Sequence, residues 1–133
     1  MQKVKTICPY CGTGCGMFVE VQDGRITGVS GDHEHPVNEG GLCLKGMYGF
    51  QHVGDSSRLK SPMIRKNGEL TAVGWDEALD YTADRLNAIK AKHGPDSIVL
   101  FSSARATNED NFAAQKFMRA VVGTNNIDHC ARL

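Results

Sequence analysis

Cys8-Pro9-Tyr10-Cys11-Gly12-Thr13-Gly14-Cys15-Gly16 sets three thiols in the pattern C-x2-C-x3-C, and a fourth, Cys43, follows after 27 intervening residues. Three sulfurs on one short loop with a fourth from a distance suit an iron–sulfur cluster. Each thiolate takes one iron corner of a cubane that is too large for a single C-x2-C knuckle. The glycines let the backbone fold tightly round such a group and turn N–H donors toward sulfur. The bacterial-ferredoxin run C-x2-C-x2-C-x3-C-P is not matched. Structural zinc sites usually pair two knuckles, whereas here a triple faces a lone Cys43. A four-cysteine zinc site is the alternative that the spacing leaves open.

On either side of this loop the pattern is that of short strands. Residues 3–7 alternate weakly and lead into it, and Met17–Val21 with Arg25–Val29 make a hairpin about Asp23-Gly24. Residues 30–42 read as loop, and Cys43 opens a short helix running to about Val53. A polar stretch ending in Pro62 marks a boundary near residues 55–62. A second hairpin, Met63–Val73, turns at Asn67-Gly68. Trp75–His93 has apolar residues at helical spacing (Trp75, Ala78, Leu79, Thr82, Leu86, Ile89), which predicts a core-facing stripe. Asp76 and Glu77 suit its first turn, and Gly94-Pro95 ends it. Ser97–Phe101 reads as a strand covered on both faces. Thr107 is placed to cap a helix to about Val122, with Phe112, Phe117, Ala120 and Val121 as its apolar side. Gly123 closes that helix, and Asn125–His129 starts another strand. This order predicts an α/β (α+β) fold: a small β-rich domain over residues 1–57, then the start of a layered α/β domain with a partly parallel sheet over 58–133.

Composition narrows the function classes. Of 133 residues, 41% are hydrophobic, enough for a core, and 15 Lys+Arg balance 15 Asp+Glu. The net charge is zero and no basic block stands out, which leaves nucleic-acid binding without electrostatic support. No apolar run approaches a membrane span. The stretch before Cys8 has no apolar signal segment and no twin arginine, so a cytoplasmic location is expected. In that compartment five cysteines read as metal ligands before disulfides.

Single residues carry two readings each. Lys45, two positions past Cys43, is either a solvated lysine or an ammonium beside an anionic cluster, where it offsets charge and raises the reduction potential. His33, His35 and His52 read as surface or structural residues. Tyr10, between two thiols, is placed to shield a cluster from water. Cys130 is outside the cluster spacing and reads as a plain buried thiol.

Residues 8–16, with His-Pro-Val-Asn-Glu-Gly-Gly-Leu-Cys-Leu-Lys-Gly (35–46), resemble the cluster domain of molybdopterin oxidoreductases. Ala-Arg-Ala-Thr-Asn-Glu-Asp-Asn-Phe (104–112), Gln-Lys-Phe-Met-Arg (115–119) and Gly-Thr-Asn-Asn-Ile-Asp-His-Cys-Ala-Arg-Leu (123–133) resemble formate dehydrogenase catalytic subunits in particular. Nitrate reductases of the superfamily share the cluster pattern but differ around the last stretch and around 35–46. The resemblance implies a [4Fe-4S] cluster on Cys8, Cys11, Cys15 and Cys43. It also implies molybdenum or tungsten held by bis(molybdopterin guanine dinucleotide). Lys45 matches the lysine between cluster and pterin, the one catalytic position assigned within this chain, and Arg105 and Cys130 fall where relatives contact the pterin. The implied reaction is reversible oxidation of formate to carbon dioxide, with electrons leaving for an iron–sulfur or flavin subunit.

Relatives place a metal-ligating cysteine or selenocysteine directly after the stretch matching 129–133, followed by a histidine. The expectation is that position 134 is selenocysteine. Residues 1–133 alone are then expected to be inactive, to expose an unfinished sheet edge and apolar helix faces, and to be poorly soluble. A stand-alone iron–sulfur carrier and a zinc-stabilised interaction domain are the competing readings, and the features at 104–133 favour the enzyme over both.

Overall fold

The computed structural model describes residues 1–130, with a mixed α and β fold arranged as two compact units. Ala131, Arg132 and Leu133, the end of the stretch that resembles formate dehydrogenases, lie outside the described residues. Of the described residues, the first unit comprises 1–58 with 102–113 and 129–130, and the second 59–101 with 114–128.

The first unit is built on an antiparallel meander of β1 (Gln2–Ile7), β2 (Gly16–Gln22) and β3 (Arg25–Gly31). Gln22 pairs with Arg25 across a two-residue turn. Both turn residues, Asp23 and Gly24, have positive φ, the type I′ geometry that matches strand twist. The ladder slips at Glu20/Val21. After a loop, α1 (Leu44–Tyr48) passes into a 3₁₀ turn over Gly49–Gly54, so the expected single helix to Val53 has two pitches. Cys8 and Met17 are the buried apolar side chains here, and Asp32 is 1% exposed.

That buried carboxylate joins several elements. Its Oδ1 accepts from the Glu34 amide at 3.0 Å, its own amide donates to the Gly16 carbonyl at 3.1 Å, and Lys5 Nζ lies 2.8 Å from Oδ2 as an ion pair. Among the described residues, Oδ2 has no further partner in hydrogen-bond geometry. The Lys5 ammonium holds the Asp32 carboxyl below the usual carboxylate range, with the Glu34 amide and His35 adding to it against the opposing effect of burial. Asp32 in turn raises Lys5, and Glu34 contributes less. The pair's stabilisation is therefore complete above the usual carboxylate range and fades as pH falls through the lowered folded value of Asp32. At the alkaline end it fades as pH rises through the raised value of Lys5. Lys5→Met should lower the urea midpoint near neutrality, and the deficit should shrink on acidification as the orphaned carboxylate takes up a proton. A midpoint series over roughly pH 3 to 7 checks this, and a deficit that stays constant across the series would show the pair to be inert.

The second unit opens with the hairpin β4 (Met63–Lys66) and β5 (Glu69–Ala72), again on a two-residue turn with positive φ at Asn67 and Gly68. α2 spans Trp75–His93 as the sequence predicts, and Gly94 ends it at φ +83. Its stripe does not face a core among the described residues, in line with the expected exposure of apolar helix faces: Trp75 is 67% and Leu79 60% exposed, and Thr82 and Ile89 are exposed too. Ala78 and Leu86 are half-buried. Leu86 shares an apolar cavity of about 130 Å³ with Ile98, Phe117 and Val122.

The expected strand over 97–101 is shifted. Pro95–Ser97 forms a 3₁₀ turn, and β6 runs over Leu100–Ser102, paired with β7 (Ile127–His129). Phe101 is exposed, so this strand is not covered on both faces, and Val99 just before it is exposed as well.

α3 (Asn108–Lys116) continues into a π-helical segment, Phe117–Val122. The wider turn re-aims its side chains. Met118 and Val122 are buried in place of the expected Phe112, Phe117, Ala120 and Val121, which are exposed. Gly123, at φ +88, donates to the Met118 carbonyl at 2.8 Å and closes the element. Thr107 caps α3 as expected. Its hydroxyl accepts from the Asp110 amide at 3.2 Å while Asp110 Oδ2 accepts from the Thr107 amide at 3.4 Å, a reciprocal capping box. Among the described residues, no helix is long and apolar enough to cross a membrane.

Candidate metal centre

The loop between β1 and β2 carries Cys8, Cys11 and Cys15. The Cys8 amide donates to the Cys15 carbonyl at 2.8 Å, closing the loop on itself. Gly14 sits at φ +70, a left-handed position that favours glycine. Cys8 is buried, Cys11 and Cys15 are half-buried, and Cys43 is exposed. Cys43 stands at the N-cap of α1, with extended backbone and no side-chain cap hydrogen bond.

α1 is pressed against the cysteine loop through its glycines. Gly46 is buried, and a Cβ there would lie 3.6 Å from Cys8 Sγ. A Cβ on Gly49, just past α1, would strike the Tyr10 ring. Tyr10, Met17, Lys45 and Phe50 share the wall of an apolar cavity of about 250 Å³ beside the loop.

The thiols share one electrostatic neighbourhood. Burial raises Cys15, and the thiols of Cys8, Cys11 and Cys43 raise it further. Cys11 is lowered by the hydroxyl and then the amide of Thr13, with Lys45 assisting; its Sγ lies 3.3 Å from Thr13 Oγ1. The amides of Gly46 and Lys45 lower Cys43, and the Lys45 charge adds to this. Lys45 thus acts on Cys11 and Cys43 alike. Among the described residues, no three His, Cys, Asp or Glu side chains converge as ligands of a single ion. A cubane does not require convergence, since its thiolates sit on separate corners.

Two asparagines hold this loop, and residue-by-residue reading passes over both. Asn108 Nδ2 donates to the Gly12 carbonyl at 2.9 Å, and a Cβ on Gly12 would come within 2.5 Å of Asn108 Oδ1. Asn38 bonds both backbone groups of Gly16. Their signal in sequence is position alone: each lies inside a stretch that carries the family resemblance.

Arg105 and Cys130 meet round Ser103. The Arg105 amide donates to Ser103 Oγ at 3.0 Å, and Cys130 Sγ is 3.8 Å from the same hydroxyl. Asn111 fixes Ser103 in turn, donating to its carbonyl at 3.0 Å. Cys130 is exposed, which corrects the reading of it as a buried thiol. The Ala104 amide, then the Ser103 hydroxyl, lower its pKa. His35, read from the sequence as a surface or structural residue, packs its ring against Gly16.

The model of the molybdopterin oxidoreductase Fe4S4 domain matches residues 1–55, and that of the molybdopterin oxidoreductases matches 58–133. Subunits alpha of the F420-dependent formate dehydrogenases 1 and 2 of Methanococcus maripaludis are 52% and 50% identical over 130 residues, 98% of this chain. A Staphylococcus aureus protein that bears the provisional name formate dehydrogenase is 46% identical over 132 residues, 99% of this chain. The chain spans 19% of the length of each Methanococcus relative and 13% of the Staphylococcus one. A match running from residue 58 to 133 takes in more than half of the chain, and on that footing the chain belongs to the molybdopterin oxidoreductase family.

Proposed function

We propose that the chain is the N-terminal portion of a formate dehydrogenase catalytic subunit, catalysing formate ⇌ carbon dioxide + proton + two electrons. The observation that carries this is near-complete coverage of the chain by formate dehydrogenase alpha subunits at about half identity. Residues 1–57 form the cluster domain and 58–133 begin the pterin domain. Cys8, Cys11, Cys15 and Cys43 would hold a [4Fe-4S] cluster; the C-x2-C-x3-C spacing with Cys43 beyond it supports that ligand set, and the other three thiols all act on Cys15. Arg105 and Cys130, gathered on Ser103, would contact a molybdenum or tungsten bis(molybdopterin guanine dinucleotide). When bound, the metal–pterin group supplies two-electron chemistry and the cluster a one-electron outlet toward an iron–sulfur or flavin subunit.

The chain's own residues do the rest. The Cys8–Cys15 closure and the adjoining glycines shape the loop. Tyr10 and Met17 line an apolar wall that limits water near the thiols. Lys45 sets positive charge toward Cys11 and Cys43, which favours the reduced, more negative cluster. Lys45→Met should therefore make the reduction potential more negative, by tens of millivolts on Coulombic grounds. Redox titration checks the shift, and an unchanged or more positive potential would remove Lys45 from the electron path.

The function itself is tested with the native protein isolated anaerobically together with its partner chains. Formate-dependent reduction of a viologen dye is the expected result. Oxidation of the reduced dye by nitrate, with formate inert, would move the chain to the nitrate reductase branch.

A further inference from the structure

The 32–41 loop ends two residues before Cys43 and begins on the buried Asp32. Within it the Asn38 amide uses every group it has. Its Oδ1 accepts from the Gly16 amide at 2.8 Å, and its Nδ2 donates to the carbonyls of Gly16 at 3.0 Å and Gly41 at 2.9 Å. The partners fix the orientation of the amide, because the reverse orientation would set donor against donor and acceptor against two carbonyls. Gly16 directly follows Cys15, and Gly41 stands two residues before Cys43. The Asn38 carbonyl also accepts from the Gly41 amide at 2.6 Å, so the turn into Cys43 is bonded to Asn38 through backbone and side chain. Gly16 is buried, with the His35 ring filling the place of a Cβ. The segment therefore has one seat against β2.

We propose that Asn38 is a positioning residue for the cluster, fixing the separation between the Cys8–Cys15 loop and Cys43 by tying Gly16 to Gly41. This rests on the cluster ligands proposed above. Neither Asp nor Gln can replace it fully: Asp lacks both donations, and Gln is one methylene too long for the same seat.

The test uses the full-length protein with its cluster, purified anaerobically as wild type, Asn38→Ala, Asn38→Asp and Leu86→Ala. Leu86 lines the apolar cavity of the second unit and serves as a variant that weakens the fold alone. Cluster loss to a chelator is followed by absorbance, and the reduced cluster by its paramagnetic resonance g values. Both Asn38 variants should lose the cluster at least tenfold faster than wild type, the scale of outer-shell effects on metal sites, and show shifted g values. Leu86→Ala should lower the unfolding midpoint while leaving the g values at wild-type positions. Loss at the wild-type rate, or g values that move equally in Leu86→Ala, would overturn the proposal. If Asn38→Ala yields no soluble protein, Asn38→Asp decides alone, since it keeps an acceptor for the Gly16 amide. Wild-type protein holding zinc without sulfide would instead defeat the ligand assignment itself, and that is read before any variant is made.

Discussion

Cys15→Ser should leave the protein with less than about a tenth of its wild-type iron and acid-labile sulfide, because cluster irons are held by thiolates and a serine hydroxyl stays protonated at neutral pH. Cys15 is the thiol on which burial and the three other thiols act together. Its carbonyl also closes the loop onto the Cys8 amide, a bond the substitution leaves in place. The backbone is thus undisturbed and the sulfur alone is removed. Formate-dependent dye reduction should fall below detection, since electrons lose their outlet. Cys130→Ser supplies the contrast. Cys130 belongs with Ser103 and Arg105, outside the four-thiol neighbourhood, so iron and sulfide should stay at wild-type amounts. Metal and sulfide analysis of the two variants side by side checks this. Equal losses in both would mean that the ligand set is wrongly drawn.

Gly31→Ala should cost about 3 kcal/mol or more, at the upper end of overpacking effects. A Cβ at Gly31 would collide with the Gly40 carbonyl oxygen, a backbone atom with no rotamer to yield. Gly40 is itself held at φ +87 beside Glu39 at φ 46, so the two chain segments cannot separate without unseating the turn that leads to Cys43. Gly54→Ala is the control: its Cβ would meet open space and its φ is not in the left-handed region. It should lie within about 0.5 kcal/mol of wild type. Urea unfolding of the two variants measures the difference, and equal midpoints would show that the 31–40 approach is not a tight contact.

The parts of the fold that follow local rules were legible in the sequence. Asp23-Gly24 and Asn67-Gly68 demand type I′ turns, which set the register of the strands beside them, up to the slip at Glu20/Val21 in the first hairpin. Trp75–His93 was bounded by an acidic first turn and Gly94-Pro95. Thr107 marked the cap of α3. What local rules could not supply is which apolar face is covered. Helical spacing put Trp75 and Leu79 in a core, yet both stand exposed. A period-3.6 reading of 108–122 also selected Phe117 and Val121, because a π segment leaves no mark in composition while it turns Met118 and Val122 inward. At the site, the cysteine spacing was enough to find the thiols. Asn38, Asn108 and the Lys5–Asp32 pair were not legible, since each acts on a residue between 20 and 100 positions away. A polar side chain that bonds a distant backbone looks, in sequence, like any surface residue.

The proposed ligand set of an iron–sulfur cubane is Cys8, Cys11, Cys15 and Cys43. Its most direct test is iron, zinc and acid-labile sulfide analysis of the anaerobically isolated protein, with paramagnetic resonance of the dithionite-reduced sample. Iron and sulfide in equal, cubane stoichiometry with a reduced-cluster signal is the expected result. Zinc without sulfide, and no signal on reduction, would contradict it.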